Sequence, residues 1–149
     1  MWSGAGVMLA ALLVPVGGIP GGGTPASGSI LQLEVALPDG WQQGSRVVLL
    51  LEEVTTPRGQ AFIARALATA PGEPDAPLGR FGVLAEKLGE PGMRAPTTYR
   101  VDVTQGLRRW AERHPKAKSV QLTLATLAPG AQPLVVAWRV GKARFVVRS

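Results

Sequence analysis

Apolar and polar residues alternate along much of this chain with a period of two, the mark of strands that bury one face. Leu31, Leu33, Val35 and Leu37 alternate with Gln32, Glu34 and Ala36, and Pro38-Asp-Gly40 then reads as a turn. Arg46–Val54 is a longer apolar run, read as a strand buried for most of its length, and Thr55–Gly59 as a hairpin-like connection. Gln60–Thr69 and Leu78–Lys87 follow as strands, the second on the alternation of Phe81, Val83 and Ala85, with the loop Pro71–Pro77 between them and Gly89–Pro96 after. Ser119–Ala125 alternates cleanly, with Val120, Leu122 and Leu124 on one face. Leu134–Val140 and Ala143–Arg148 read as two last strands separated around Gly141-Lys142.

One stretch changes period. Tyr99, Val101 and Val103 keep strand spacing, and then Val103, Leu107 and Trp110 fall on one helical face with Arg108, Arg109, Glu112 and Arg113 off it. Asp102 is placed to cap this helix with Gln105 as its capping-box partner, and Pro115 cannot continue the ladder and ends it. The helix is expected to plug one end or edge of a sheet. About eight short strands joined by short turns, with one helix, predict a mainly antiparallel β-sandwich over residues 29–149.

Residues 1–28 do not fit that pattern. No charged side chain occurs before Glu34, and Val7–Val14 is strongly apolar until Pro15 and a Gly-rich run interrupt it. A secretory signal would carry a basic segment before Val7, and there is none. A membrane-spanning helix needs about 20 apolar residues, more than this run supplies. The reading adopted is an extended apolar arm that docks on a partner through Trp2, Val7, Met8, Leu9, Leu12, Leu13, Val14 and Ile19. An uncleaved export or anchor signal is the second reading.

Composition narrows the chemistry. Nineteen glycines and 13 prolines in 149 residues suit many turns. There is no cysteine and one histidine, which excludes thiolate catalysis and any site needing two histidines from this chain. The formal charge of +6 marks a solvated basic surface, with anionic lipid headgroups or an acidic partner as its functional use. Arg108, Arg109, Arg113, Lys116 and Lys118 are the candidate anionic contacts, and a second basic run lies at Arg139, Lys142, Arg144 and Arg148. No aromatic stacking platform accompanies them, so nucleic acid is disfavoured.

No catalytic set emerges. Glu52 and Glu53 are neighbours on a strand and should face opposite sides, and Asp102 reads as a cap rather than as half of an acid pair with Glu112. Glu73, Asp75 and Glu90 sit in Pro/Gly loops without the ligand density of a calcium site. His114 reads as an exposed helix-end histidine, and Trp41, Trp110 and Trp138 as core or interface anchors. No cofactor or metal is expected.

The order of elements from residue 46 to 148 resembles the C-terminal β-sandwich domain of bacterial tyrosinase-like polyphenol oxidases. Arg46–Val54, Ala61–Leu67, Gly79–Leu84, Tyr99–Trp110 and Val120–Leu124 carry the likeness. The copper domain and its histidines are absent, so the resemblance implies a fold and an accessory role rather than oxidase activity. The expectation is a non-catalytic accessory subunit of a larger complex with integral membrane subunits, on the bacterial periplasmic or cell-envelope side. An exported ligand- or carbohydrate-binding module is the alternative.

Overall fold

The computed structural model describes residues 26–27 and 30–148. The elements, in chain order, are β1 (Ala26–Ser27), β2 (Leu31–Ala36), β3 (Arg46–Thr55), β4 (Phe62–Ala68), β5 (Ala76–Val83), β6 (Thr97–Asp102), α1 (Thr104–Arg113), β7 (Ser119–Leu127) and β8 (Arg139–Arg148). A single 3-10 turn, Trp41–Gln43, precedes β3. The strands form two four-stranded sheets, ordered β1-β8-β3-β6 and β2-β7-β4-β5, and every pairing is antiparallel. This is the mainly β sandwich with one short helix that the alternation predicts.

The core lies between the sheets. Leu31, Leu33 and Val35 of β2, Val47, Leu49 and Leu51 of β3, and Val120, Leu122 and Leu124 of β7 are all buried there. Each set is spaced by two residues, so each strand turns one face inward. Trp138 packs edge-on against Phe62 at 5.4 Å, and Phe81 stacks on Tyr99 at 4.9 Å, joining β5 of one sheet to β6 of the other. Trp41, Trp110 and Trp138 are all buried, as core anchors should be.

Besides β1, a two-residue strand paired with β8 inside the stretch read as an arm, three elements differ from the sequence reading. The two C-terminal strands are one, β8, which pairs with β3 in a single register from Arg139↔Thr55 to Arg148↔Arg46, with only Gly141 passed over. Residues 134–138 are not strand. Gly141-Lys142 looks like a boundary because the facing phase resets there: Val140 and Ala143 both point inward, with Gly141 and Lys142 between them. The partner strand resets at the same level. Leu51 and Val54 are both buried around a bulge in the β3–β6 register, and Glu53 takes φ 55. Glu52 is half-buried and Glu53 exposed, so neither enters the core. Glu52 pairs with Arg144 at 3.1 Å. A Cβ at Gly141 would stand 2.7 Å from the Cβ of Glu53, so the double reset requires glycine there.

The third difference concerns β5. It spans Ala76–Val83 rather than Leu78–Lys87, and so takes in Pro77, which an edge strand tolerates. Beyond Val83 the chain leaves the sheet, so Leu84 and Leu88 are not strand residues.

Candidate functional site

The strand-to-helix junction locks β6 and the start of α1 to β3. Helix α1 starts one residue later than its capping pattern suggests, with Val103 at the N-cap position and no side-chain bond from that residue. Asp102 caps it from one position further out: its Oδ1 accepts from the Thr104 backbone N–H at 3.0 Å and from the Thr104 hydroxyl at 2.6 Å. No capping-box bond from Gln105 is formed. The same Thr104 hydroxyl, buried, accepts from the Val47 N–H of β3 at 2.8 Å. These bonds hold the Asp102 carboxyl below its ordinary range, the Thr104 hydroxyl contributing most, the Thr104 N–H next, and Arg46 adding a smaller share against the effect of burial. Asp102 is thus a structural carboxylate, remote in role from Glu112.

From that junction α1 lies across one end of the sandwich. Val103, Leu107, Trp110 and Ala111 are buried, and Gly106 is seated against β5, where an added Cβ would meet the Pro77 carbonyl oxygen at 2.6 Å. At its far end His114 is half-buried rather than free in solvent. Its ring stacks on Trp110 at 4.4 Å, Nδ1 lies 3.0 Å from the Trp110 carbonyl oxygen, and Nε2 lies 3.0 Å from a carboxylate oxygen of Glu73. The β4–β5 loop is thereby held to the helix terminus.

Two clefts flank this stack. One, of about 420 Å³, runs between α1 and the β4–β5 loop and is lined by Glu73, Asp75, Arg109, Trp110, Glu112 and Arg113, among others. The other, of about 320 Å³, lies between His114 and the Trp41–Gln43 turn and includes Asp39 and Lys118. The larger cleft combines carboxylates, arginines and an imidazole and has no hydroxyl or thiol on its lining. Among the described residues no group of three or more His, Asp or Glu side chains could hold a metal ion.

The five basic residues singled out in the sequence do not form one surface. Arg109 and Arg113 border the larger cleft, and Lys118 borders the smaller. Lys116 is exposed in the turn after the helix. Arg108 is different: it is half-buried and donates to the Gly44 carbonyl at 2.7 Å, bracing the turn before β3. Its burial follows from its side of the helix, which faces that turn. In the second basic run Arg144 is matched by Glu52, while Lys142 and Arg148 are exposed. The arm contacts Trp2, Val7, Met8, Leu9, Leu12, Leu13, Val14 and Ile19 lie outside the described residues.

The opposite end of the sandwich carries a feature the sequence reading missed. Strands of nine or ten residues separate the ends by about 30 Å. Here the β3–β4 connection, the loop 84–96 and residues 128–138 come together, and residue 30 leads into β2 beside them. Loop 84–96 is zipped to the β3–β4 connection by four backbone bonds: Glu86 N–H to Arg58 O, Gly89 N–H to Gly59 O, Arg58 N–H to Gly92 O, and Arg94 N–H to Thr56 O, at 2.8–2.9 Å. Arg58 lies 4.0 and 3.9 Å from Glu86 and Glu90, and Arg94 lies 3.7 Å from Glu86. On this rigid base sit large apolar side chains in solvent: Leu84 and Leu88 at 78% exposure, Met93 at 42%, Val135 at 83% and Ile30 at 66%. The available signal was two leucines off the Phe81, Val83 and Ala85 alternation, next to a Gly/Pro loop.

Among the described residues no helix is long and apolar enough to cross a membrane. No protein-family model matches the chain, and no curated protein is significantly similar to it.

Proposed function

We propose that this protein is a non-catalytic accessory subunit that docks on a larger, membrane-associated protein complex, led by its apolar N-terminal segment. One observation carries the reading. Every large hydrophobic side chain exposed among the described residues lies at the end of the sandwich where residue 30 enters it. Large apolar residues gathered at one end mark an interaction surface, whereas single exposed ones do not. The sequence before residue 30 is itself uncharged and apolar, so the two would form one continuous surface turned toward the membrane and the complex within it. The resemblance to the sandwich domain of bacterial tyrosinase-like polyphenol oxidases fits this proposal, since that domain packs against a larger partner.

A sandwich seated by this end points α1 the other way. Arg109, Arg113, Lys116 and Lys118 would then face an acidic neighbouring subunit rather than the headgroups of the same bilayer. The test is mild-detergent extraction of the native protein from membranes with intact-mass analysis. Co-purification with integral membrane proteins, residues 1–28 retained, is the expected result. Recovery as a lone soluble protein trimmed near Ala26 refutes it. That outcome favours the second reading, an exported ligand-binding module. The two clefts beside His114 support it, the larger being of the size that holds a small molecule.

A further inference from the structure

Resting on the membrane attachment argued above, we propose that loop 84–94 inserts Leu84, Leu88 and Met93 into an anionic lipid surface. Three features of the loop point to lipid. It is held in place beforehand: four backbone bonds zip it to the β3–β4 connection, so presenting the leucines costs no further ordering of the chain. Its acids are neutralised where they stand. Glu86 lies within 4.0 Å of both Arg58 and Arg94, and Glu90 within 3.9 Å of Arg58. Lys87, between the two leucines, is exposed and has no acidic partner among the described residues. A tip of exposed leucines with an exposed lysine and its carboxylates paired matches a bilayer interface, where the apolar side chains enter the acyl boundary and the lysine reaches an anionic headgroup. Arg139, exposed at the same end of β8, adds a second cation facing that way.

The chain has no cysteine, so one introduced cysteine carries one label. Full-length Leu88→Cys and, at the opposite end, Gln43→Cys would each be coupled to a polarity-sensitive fluorophore. Each would then be mixed with phosphatidylcholine vesicles with and without phosphatidylglycerol, reading sedimentation and emission together. The expected result is sedimentation with the anionic vesicles, a blue shift at position 88 and none at position 43. Unlabelled Leu84→Ser/Leu88→Ser should unfold at the wild-type temperature and lose about tenfold or more in vesicle partitioning. Sedimentation with the position-88 label still in water overturns the insertion and leaves the attachment intact, the N-terminal segment then being the anchor. Failure to bind either vesicle, with co-purification from native membranes, overturns the insertion in favour of a protein covering the loop. Absence from native membranes removes the attachment itself.

Discussion

Two buried threonines should respond to the same substitution with opposite signs. Thr104 is 6% exposed, and its hydroxyl accepts from Val47 N–H at 2.8 Å, donates to Asp102 at 2.6 Å and lies 3.3 Å from the Val47 carbonyl oxygen. Thr104→Val keeps the shape and removes all three contacts. Val47 is wholly buried, so its N–H would be left without a partner, at a cost of about 1–3 kcal/mol. Asp102 is half exposed and can turn to water, which makes its share small. The expected loss is about 2 kcal/mol. Thr56 is also fully buried, yet its hydroxyl has no hydrogen-bond partner among the described residues. Thr56→Val deletes an unpaired polar group and should gain about 1 kcal/mol. Equilibrium unfolding in urea, with unchanged slope, reads both.

The pH dependence of Thr104→Val follows with a definite sign. The Asp102 carboxyl is lowered in the folded protein, so its stabilisation is present above the ordinary carboxylate value of about 4 and is lost as pH falls through the lower folded value. With the Thr104 hydroxyl gone, that acid-side loss should shrink. Equal destabilisation by the two valine substitutions, or a Thr104→Val cost below about 0.5 kcal/mol, would refute the accounting of buried hydroxyls.

Other substitutions test the close approaches. Gly106→Ala should destabilise the fold in thermal unfolding although alanine favours helix by about 1 kcal/mol, because its Cβ would stand 2.6 Å from the Pro77 carbonyl oxygen and 2.7 Å from Leu78 Cα. Gly141→Ala should also destabilise, meeting Glu53 at 2.7 Å, and a neutral result in chemical denaturation would remove the paired reset as a constraint. Glu53→Gly should gain up to about 1 kcal/mol by relieving a positive φ, read in the same assay. Arg108→Met should lower the melting temperature through loss of the bond to Gly44, whereas Arg109→Met, at the exposed cleft rim, should leave it unchanged within about 0.5 kcal/mol.

Strands β2 and β7 were legible because alternate apolar residues record the face each turns inward, and β3 because it is apolar for most of its length. The single strand β8 was not, because its facing phase shifts at Gly141 while its hydrogen bonding continues, and a hydrophobic pattern reports only the phase. The cap was misplaced by one residue since Asp102 reaches Thr104 through its side chain, a bond no pattern of residue types distinguishes from an N-cap. The Glu73–His114 contact joins residues 41 positions apart and depends on how the β4–β5 loop folds over the helix. The exposed end of the sandwich was not legible, because Leu84 and Leu88 are apolar positions off the Phe81, Val83 and Ala85 alternation, and only the folded loop shows that solvent surrounds them.

The order of strands in the first sheet has a consequence for biosynthesis. β8 lies between β1 and β3 and is preceded in sequence by every other strand. Until it has left the ribosome, one edge of β3 has no partner and β1 has nothing to pair with. The growing chain therefore carries Val47, Leu49 and Leu51 half-covered until residues 139–148 emerge, an interval in which a chaperone has a reason to hold it. Only completion of residues 139–148 fixes β1 beside Arg139 and Val140, and with it the point from which the N-terminal segment departs. The first sheet is thus closed only once β8 has emerged, after every other strand of the sandwich.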